Sequence, residues 1–294
     1  MARYYTQWAG APRYVVSRSN GTNDYNDDIN TRSLYTNWLA GGSPYIPNKE
    51  GLKVPIELTL GVHSDAGVKA DGTTVGTLSI CTTQQGNPTL GTGLSRNASQ
   101  VFANQLVTNA KRDIEGTFKK VWNTRGVKDA NYSETRLPEV PSAIIETLSH
   151  QNFGDMRLGQ DPNFKFTLAR SIYKSILRHT ASLHKRPYIV QPLAPDNFRI
   201  EYVSKDKVRL KWNGVNDPLE PTAKPTSYNI YMATGTSGFD NGVNVNGNSY
   251  EITLEPNVLY NFRVTACNHG GESFPTEVLS AYHKEGAKQT ILIV

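Results

Sequence analysis

Up to about residue 184 the chain alternates helix-period and strand-like segments; beyond that point apolar and polar positions alternate with a period of two. Tyr14 to Ser17 is a short run of β-formers and predicts a strand. Asp27 to Leu39 predicts a helix, with Asp27 or Asp28 as its cap. Val54 to His63 (VPIELTLGVH) is an apolar run fit for a buried central strand, and Val75 to Thr82 is a further strand. Between Ser95 and Phe118, Val101, Phe102, Leu106, Val107, Ala110 and Ile114 recur at helical spacing. Ser142 to Leu148 (SAIIETL) predicts a second buried strand, and Phe164 to Leu183 a long amphipathic helix. This order predicts an α/β domain, a mixed or parallel sheet flanked by helices.

Pro187, Pro192 and Pro195 punctuate the stretch KRPYIVQPLAPD and mark a linker. The expected boundaries are a first domain over 1–186, a linker over 187–196 and a second domain over 197–294. Past the linker, Val208 to Trp212, Ser227 to Met232, Ser249 to Leu254 and Tyr260 to Cys267 read as strands separated by turn signals, with no helix among them. A span of roughly 100 residues with that spacing suits a small all-β sandwich. The tail resembles fibronectin type III domains: Trp212 ends an early strand (VRLKW), SYNIYMA gives the middle-strand pattern, and LEPNVLYNFRVTACN places Tyr260 where a tyrosine hydroxyl closes a corner.

Composition changes this picture little. The chain has 294 residues, 37% of them hydrophobic and 19% charged, which is globular rather than disordered. No apolar stretch is long enough to span a bilayer, and MARYYTQWAGAPRY has no apolar signal core. The net charge of +5 is spread along the chain. Its one cluster, Lys111, Arg112, Lys119, Lys120, Arg125 and Lys128, reads as a solvated helix face, so nucleic acid is not an expected partner. Cys81 and Cys267 fall in different domains and read as unrelated thiols.

Candidate chemistry sits at two strand ends. GVHSDAG (61–67) puts His63 at the end of an apolar strand, where a parallel α/β sheet places its active groups. SAIIETL puts Glu146 near the end of another, a costly place for a carboxylate unless it is paired or metal-adjacent. A His and a Glu side by side suit a metal ion with a neighbouring general base.

In this order the motifs resemble the zinc-dependent N-acetylmuramoyl-L-alanine amidases. HSDAG fits the family's histidine strand, RGVKDAN (125–131) its segment after the long helix, and PSAIIETL (141–148) the strand of its catalytic glutamate. The resemblance covers about residues 13 to 184. It implies His63 as a zinc ligand, Glu146 as the general acid/base, and Zn2+ activating water against the amide between muramic acid and L-alanine. It also implies peptidoglycan or another cell-wall glycan as partner and an extracytoplasmic setting; a monomer is expected.

One departure is plain. The family's other two zinc ligands, a His and a Glu, precede the strand mapped here to Tyr14 to Ser17, and residues 1–13 contain neither type. The expectation is a domain lacking its first strand and helix, with Ala2 to Ala9 as the end of that helix and zinc bound poorly. His150, four residues past Glu146, could approach the site or be a surface loop residue. Asp24, Asp27 and Asp28 miss the spacing of an EF-hand and read as helix-capping residues. Two alternatives stand beside the amidase: a non-catalytic wall-binding protein, and a polysaccharide lyase of the xanthan type, because chains of similar build often carry that label. No Tyr, His and Arg spacing singles out a lyase site.

Overall fold

The computed structural model describes residues 1–289. The chain forms two compact units, Met1–Arg186 and Pro187–Val294, each with its own buried core.

The first unit runs α1 (Ala2–Trp8), α2 (Arg13–Val16), α3 (Asp24–Ala40), β1 (Thr59–Asp65), β2 (Thr77–Cys81), α4 (Asn97–Phe118), β3 (Thr124–Asp129), α5 (Ser133–Arg136), β4 (Ser142–Ser149), α6 (Phe153–Gly159) and α7 (Pro162–Leu183). Its sheet is mixed, in the order β1-β4-β2-β3: β1 runs parallel to β4, β4 antiparallel to β2, and β2 parallel to β3. One face buries Cys81, Ala143 and Ile145 against Phe102, Ala103 and Leu106 of α4 and Ile172 and Ile176 of α7. The other face carries Leu78, Ile80 and Ile144, and here α5 packs on β4 and in turn against α3.

Three local expectations are corrected. Tyr14 to Ser17 is not a strand: Arg13–Val16 is a helical turn entered through Pro12, with Val15 and Val16 buried. The Thr31 hydroxyl of α3 donates to the Val15 carbonyl at 3.0 Å, so packing on α3 outweighs the strand preference of two valines. The apolar run from Val54 becomes a strand only at Thr59, and that strand lies at the sheet edge rather than its centre. Pro55 brings no N–H for a ladder, Lys53 sits at φ 60°, and Val62 is 59% exposed. The cap of α3 is Asn23, whose side chain accepts from the Asn26 N–H at 2.9 Å, rather than Asp27 or Asp28.

The second unit consists of β5 (Asp196–Tyr202), β6 (Lys207–Asn213), β7 (Ser227–Thr234), β8 (Val243–Val245), β9 (Ser249–Thr253), β10 (Leu259–Asn268), β11 (Gly271–Glu272) and β12 (Leu279–Tyr282). One sheet has the order β5-β6-β9. The other has β11-β10-β7-β8 with β12 on β10, and every pairing is antiparallel. A single 3-10 turn, Pro221–Ala223, is a small exception to the all-strand reading. Trp212, Phe262, Leu210 and Val264 fill the core, with the Trp212 and Tyr228 rings edge-on at 5.4 Å.

Candidate functional site

The sheet brings His63 and Glu146 together. They are Cα partners across the β1/β4 ladder, near the C-terminal ends of two parallel strands. Parallel partners project to the same face, so both side chains stand on the face that carries Ile144 and Leu78. Gly61 keeps that row open: a Cβ there would lie 3.1 Å from His63 Nε2 and 3.2 Å from Ile144 Cγ1. Past His63 the ladder slips, and a bulge of this kind re-aims the side chains beyond it.

Glu146 is held in an unfavourable place for a charge. Its Oε2 is buried and has no hydrogen-bond partner. Burial pushes its pKa up, His63 and Arg125 pull it back down, and Asp65 and Glu134 raise it further. Asp65 goes the other way: the Ala66 N–H at 2.7 Å, then Arg125 with a nitrogen 2.7 Å from Oδ2, hold its carboxyl low. The two carboxyls are thus pushed in opposite directions, Glu146 up by burial and Asp65 down by its N–H and guanidinium partners.

Two partners of His63 and Asp65 are not evident in the sequence. Glu134, at the start of α5, places Oε2 3.2 Å from His63 Nε2. Arg32 of α3 clasps the other oxygen of Glu134 at 3.2 Å. Arg125, part of the RGVKDAN segment on β3, reaches across to Asp65. His150 stands on the rim: its Nδ1 is 3.1 Å from Ser64 Oγ, and its N–H donates to the Asp65 carbonyl at 2.9 Å. Asp27 is far from this chemistry in role, buried and accepting from the Ser19 N–H at 2.6 Å and the Ser19 hydroxyl at 2.8 Å.

His63 and Glu134 have the donor types of zinc ligands, but catalytic zinc takes three protein ligands and an open position. Among the described residues no group of three or more His, Cys, Asp or Glu side chains is placed to hold a metal ion. The residues present therefore do not fit the zinc centre that the amidase resemblance implies. What they do form is a half-buried acid/base cluster, His63, Glu134, Glu146 and Asp65, with two arginines at its borders.

In the second unit Tyr260, on β10, turns back so that its hydroxyl accepts the Glu255 N–H at 3.2 Å, closing the loop before its own strand. Residues 193–282 match the family model for the fibronectin type III domain. They are a fibronectin type III domain. Among solved structures, this chain is similar to domains A168–A170 of titin, with 27% identity over 32% of this chain and 33% of that one at a TM-score of 0.28. It is similar too to the third fibronectin III domain of human KIAA0343 protein (20% identity, 36% and 92% covered, TM-score 0.29). The FN1–FN3 domains of chicken CNTN1 align at 18% identity over 32% and 33% with a TM-score of 0.28. Among curated proteins none matches this chain. No helix among the described residues is long and apolar enough to cross a membrane.

Proposed function

We propose that the first unit recognises peptidoglycan in the manner of N-acetylmuramoyl-L-alanine amidases, with Glu146 as the group that exchanges a proton at the stem-peptide amide. The observation that carries this reading is the register of His63 and Glu146, partners on adjacent parallel strands at the sheet's C-terminal end. A carboxyl whose pKa is raised by burial can accept a proton from water and return it to the leaving alanine nitrogen. His63 beside it, steadied by Glu134 and Arg32, orients the amide and shares the developing charge. Among the described residues no group of three ligands forms around His63 and Glu134, so zinc binding by this chain is expected to be weak. The substrate's location makes an extracytoplasmic setting part of the same proposal, and the fibronectin type III domain serves in it as a spacer.

The shortage of metal ligands favours a second reading in which the unit holds the cell wall without cutting it. One experiment separates the two. The chain and its Glu146→Gln and His63→Ala variants are incubated with purified peptidoglycan sacculi, with and without added zinc. Protein bound to the pellet and free stem peptides are then measured. Peptide release that Glu146→Gln abolishes supports hydrolysis. Sacculus binding without release supports wall binding alone, and neither binding nor release would sink the peptidoglycan reading.

A further inference from the structure

The mixed sheet of the first unit ends in two edges that differ. β3 is guarded: Gly126 holds φ at 69°, which breaks the extended line, and Arg125 and Lys128 stand exposed along it. β1 has none of these devices. Its seven residues, TLGVHSD, include no proline, lysine or arginine, and they pair with β4 on one side only.

The backbone groups of β1 divide between its two sides. The Thr59 N–H donates to the Pro141 carbonyl at 2.9 Å, and the Asp65 carbonyl accepts from the His150 N–H at 2.9 Å. Between them the His63 carbonyl accepts from the Thr147 hydroxyl of β4 at 2.8 Å. Thr59, Gly61, His63 and Asp65 therefore turn their backbone toward β4, and Leu60, Val62 and Ser64 turn theirs the other way. Among the described residues, none pairs with the backbone of those three. Val62 is 59% exposed and Ser64 is exposed, so solvent reaches this outward row.

The strand is also complementary to itself. A second β1 laid antiparallel about a two-fold axis must set outward residues against outward residues. An axis at Val62 pairs the whole strand: Val62 faces Val62, Leu60 faces Ser64, and each pair exchanges both of its N–H···O bonds. Gly61 then falls opposite His63 at a closely spaced pair, with Cα atoms about 4.5 Å apart, and the glycine leaves the room an imidazole needs. Moving the axis to His63 sets two imidazoles directly against each other. Moving it to Gly61 shortens the overlap and leaves two glycines facing. With the axis at Val62, its exposed apolar surface covers itself, and Asp65 meets Thr59 rather than a second carboxylate.

We propose that β1 pairs antiparallel with β1 of a second copy of this chain, joining the two mixed sheets edge to edge. The partner's His63 then stands beside Gly61, in the row that carries His63 and Glu146, so each acid/base cluster gains a histidine from the other chain. This dimer replaces the monomer expected from the sequence, and it stands independently of the peptidoglycan reading. A single strand edge is a smaller contact than the roughly 1,600 Å² of a standard interface, so the dimer forms and dissociates with concentration.

The test combines sedimentation velocity and amide hydrogen exchange by NMR on the whole chain, from about 1 μM to about 1 mM. Mass should rise from monomer to dimer, and exchange at Leu60, Val62 and Ser64 should slow in step with it. The amides of Thr59, Gly61 and His63, already turned to β4, should not change. Val62→Lys places two ammonium groups opposite each other at the axis and should weaken association about tenfold. Circular dichroism checks that this variant folds, and the exchange measurement on the unaltered chain decides the matter if it does not. A chain that stays monomeric throughout overturns the proposal. So does a dimer that forms without protecting Leu60, Val62 and Ser64, or one that a folded Val62→Lys variant forms equally well. Protection that appears only when a synthetic peptide copying residues 59–65 is added, the chain itself remaining monomeric, would assign the edge to an external strand and overturn the second copy as its occupant.

Discussion

At the scale of single residues, Glu146 shows how the protein sets burial against charge. Its carboxyl sits on a half-buried strand, one oxygen lacks any partner, and burial raises its pKa above the ordinary carboxylate value. For an acid, a raised folded-state pKa means that folding favours the protonated form. The contribution to stability is then greatest at low pH and is lost as pH rises through the ordinary carboxylate range to the folded value. A Glu146→Gln variant cannot ionise and escapes this loss. Its stability relative to the parent should be close to even near about pH 4 and should move in the variant's favour toward about pH 7. Urea unfolding of both proteins at the two pH values measures this, and a glutamine variant that loses ground as pH rises contradicts the account. Asp65 raises the Glu146 pKa, so its repulsion is part of the loss that the variant escapes. Cys81 is a simpler case. Burial pushes its thiol up to about 11, so thiol reagents should reach it only when the unit opens.

Among the elements, the ties between strand ends decide whether the cluster exists at all. Asp155, in the first turn of α6, is fully buried and accepts from the N–H groups of Val75 at 2.7 Å, Gly76 at 2.8 Å and Ser149 at 3.2 Å. One carboxylate thereby fixes the entry to β2 and the end of β4. Gly76 could hardly be another residue, since it holds φ at 78° and a Cβ would fall 1.8 Å from the Asn123 carbonyl oxygen. Asp155→Ala would strand these buried donors, and each costs about 1–3 kcal/mol, so a loss of roughly 3–5 kcal/mol is expected in denaturant unfolding. A loss below about 1 kcal/mol would mean that water or a shifted loop satisfies them. Elements of this kind were legible from sequence where side-chain period and environment agree: α4 and α7 follow their apolar spacing, and the SAIIETL strand follows its apolar run. Val15 and Val16 mislead because their strand preference yields to burial on α3. The apolar run before His63 does not reveal an edge strand, since Leu58 and Leu60 reach the core while Val62 stays outside. His63 and Glu146 stand out because each ends an apolar segment. Arg32 and Glu134 do not, because their pairing joins positions 102 apart and only the packing of α3 on α5 brings them to the same place.

The whole molecule divides its stability between two cores of different kinds. The first unit builds its interior from helices on a mixed sheet, with a buried ion pair in which Lys174 Nζ lies 2.8 Å from Asp113 Oδ2. Breaking such a pair from one side costs about 3–5 kcal/mol, because the remaining charge stays buried. The fibronectin type III domain relies instead on aromatic packing, with Trp212 almost wholly buried against Tyr228 and near Phe262 and Leu210. Truncating a buried tryptophan costs about 3–5 kcal/mol through lost burial and the cavity left behind. Trp212→Ala and Lys174→Met are therefore expected to act on different transitions in scanning calorimetry. The tryptophan variant should lower the midpoint of the domain that contains it and leave the other in place, and the lysine variant should do the opposite. If either variant moves both transitions together, the two units unfold as one cooperative body, and stability measured in the fibronectin type III domain would then report on the acid/base cluster as well.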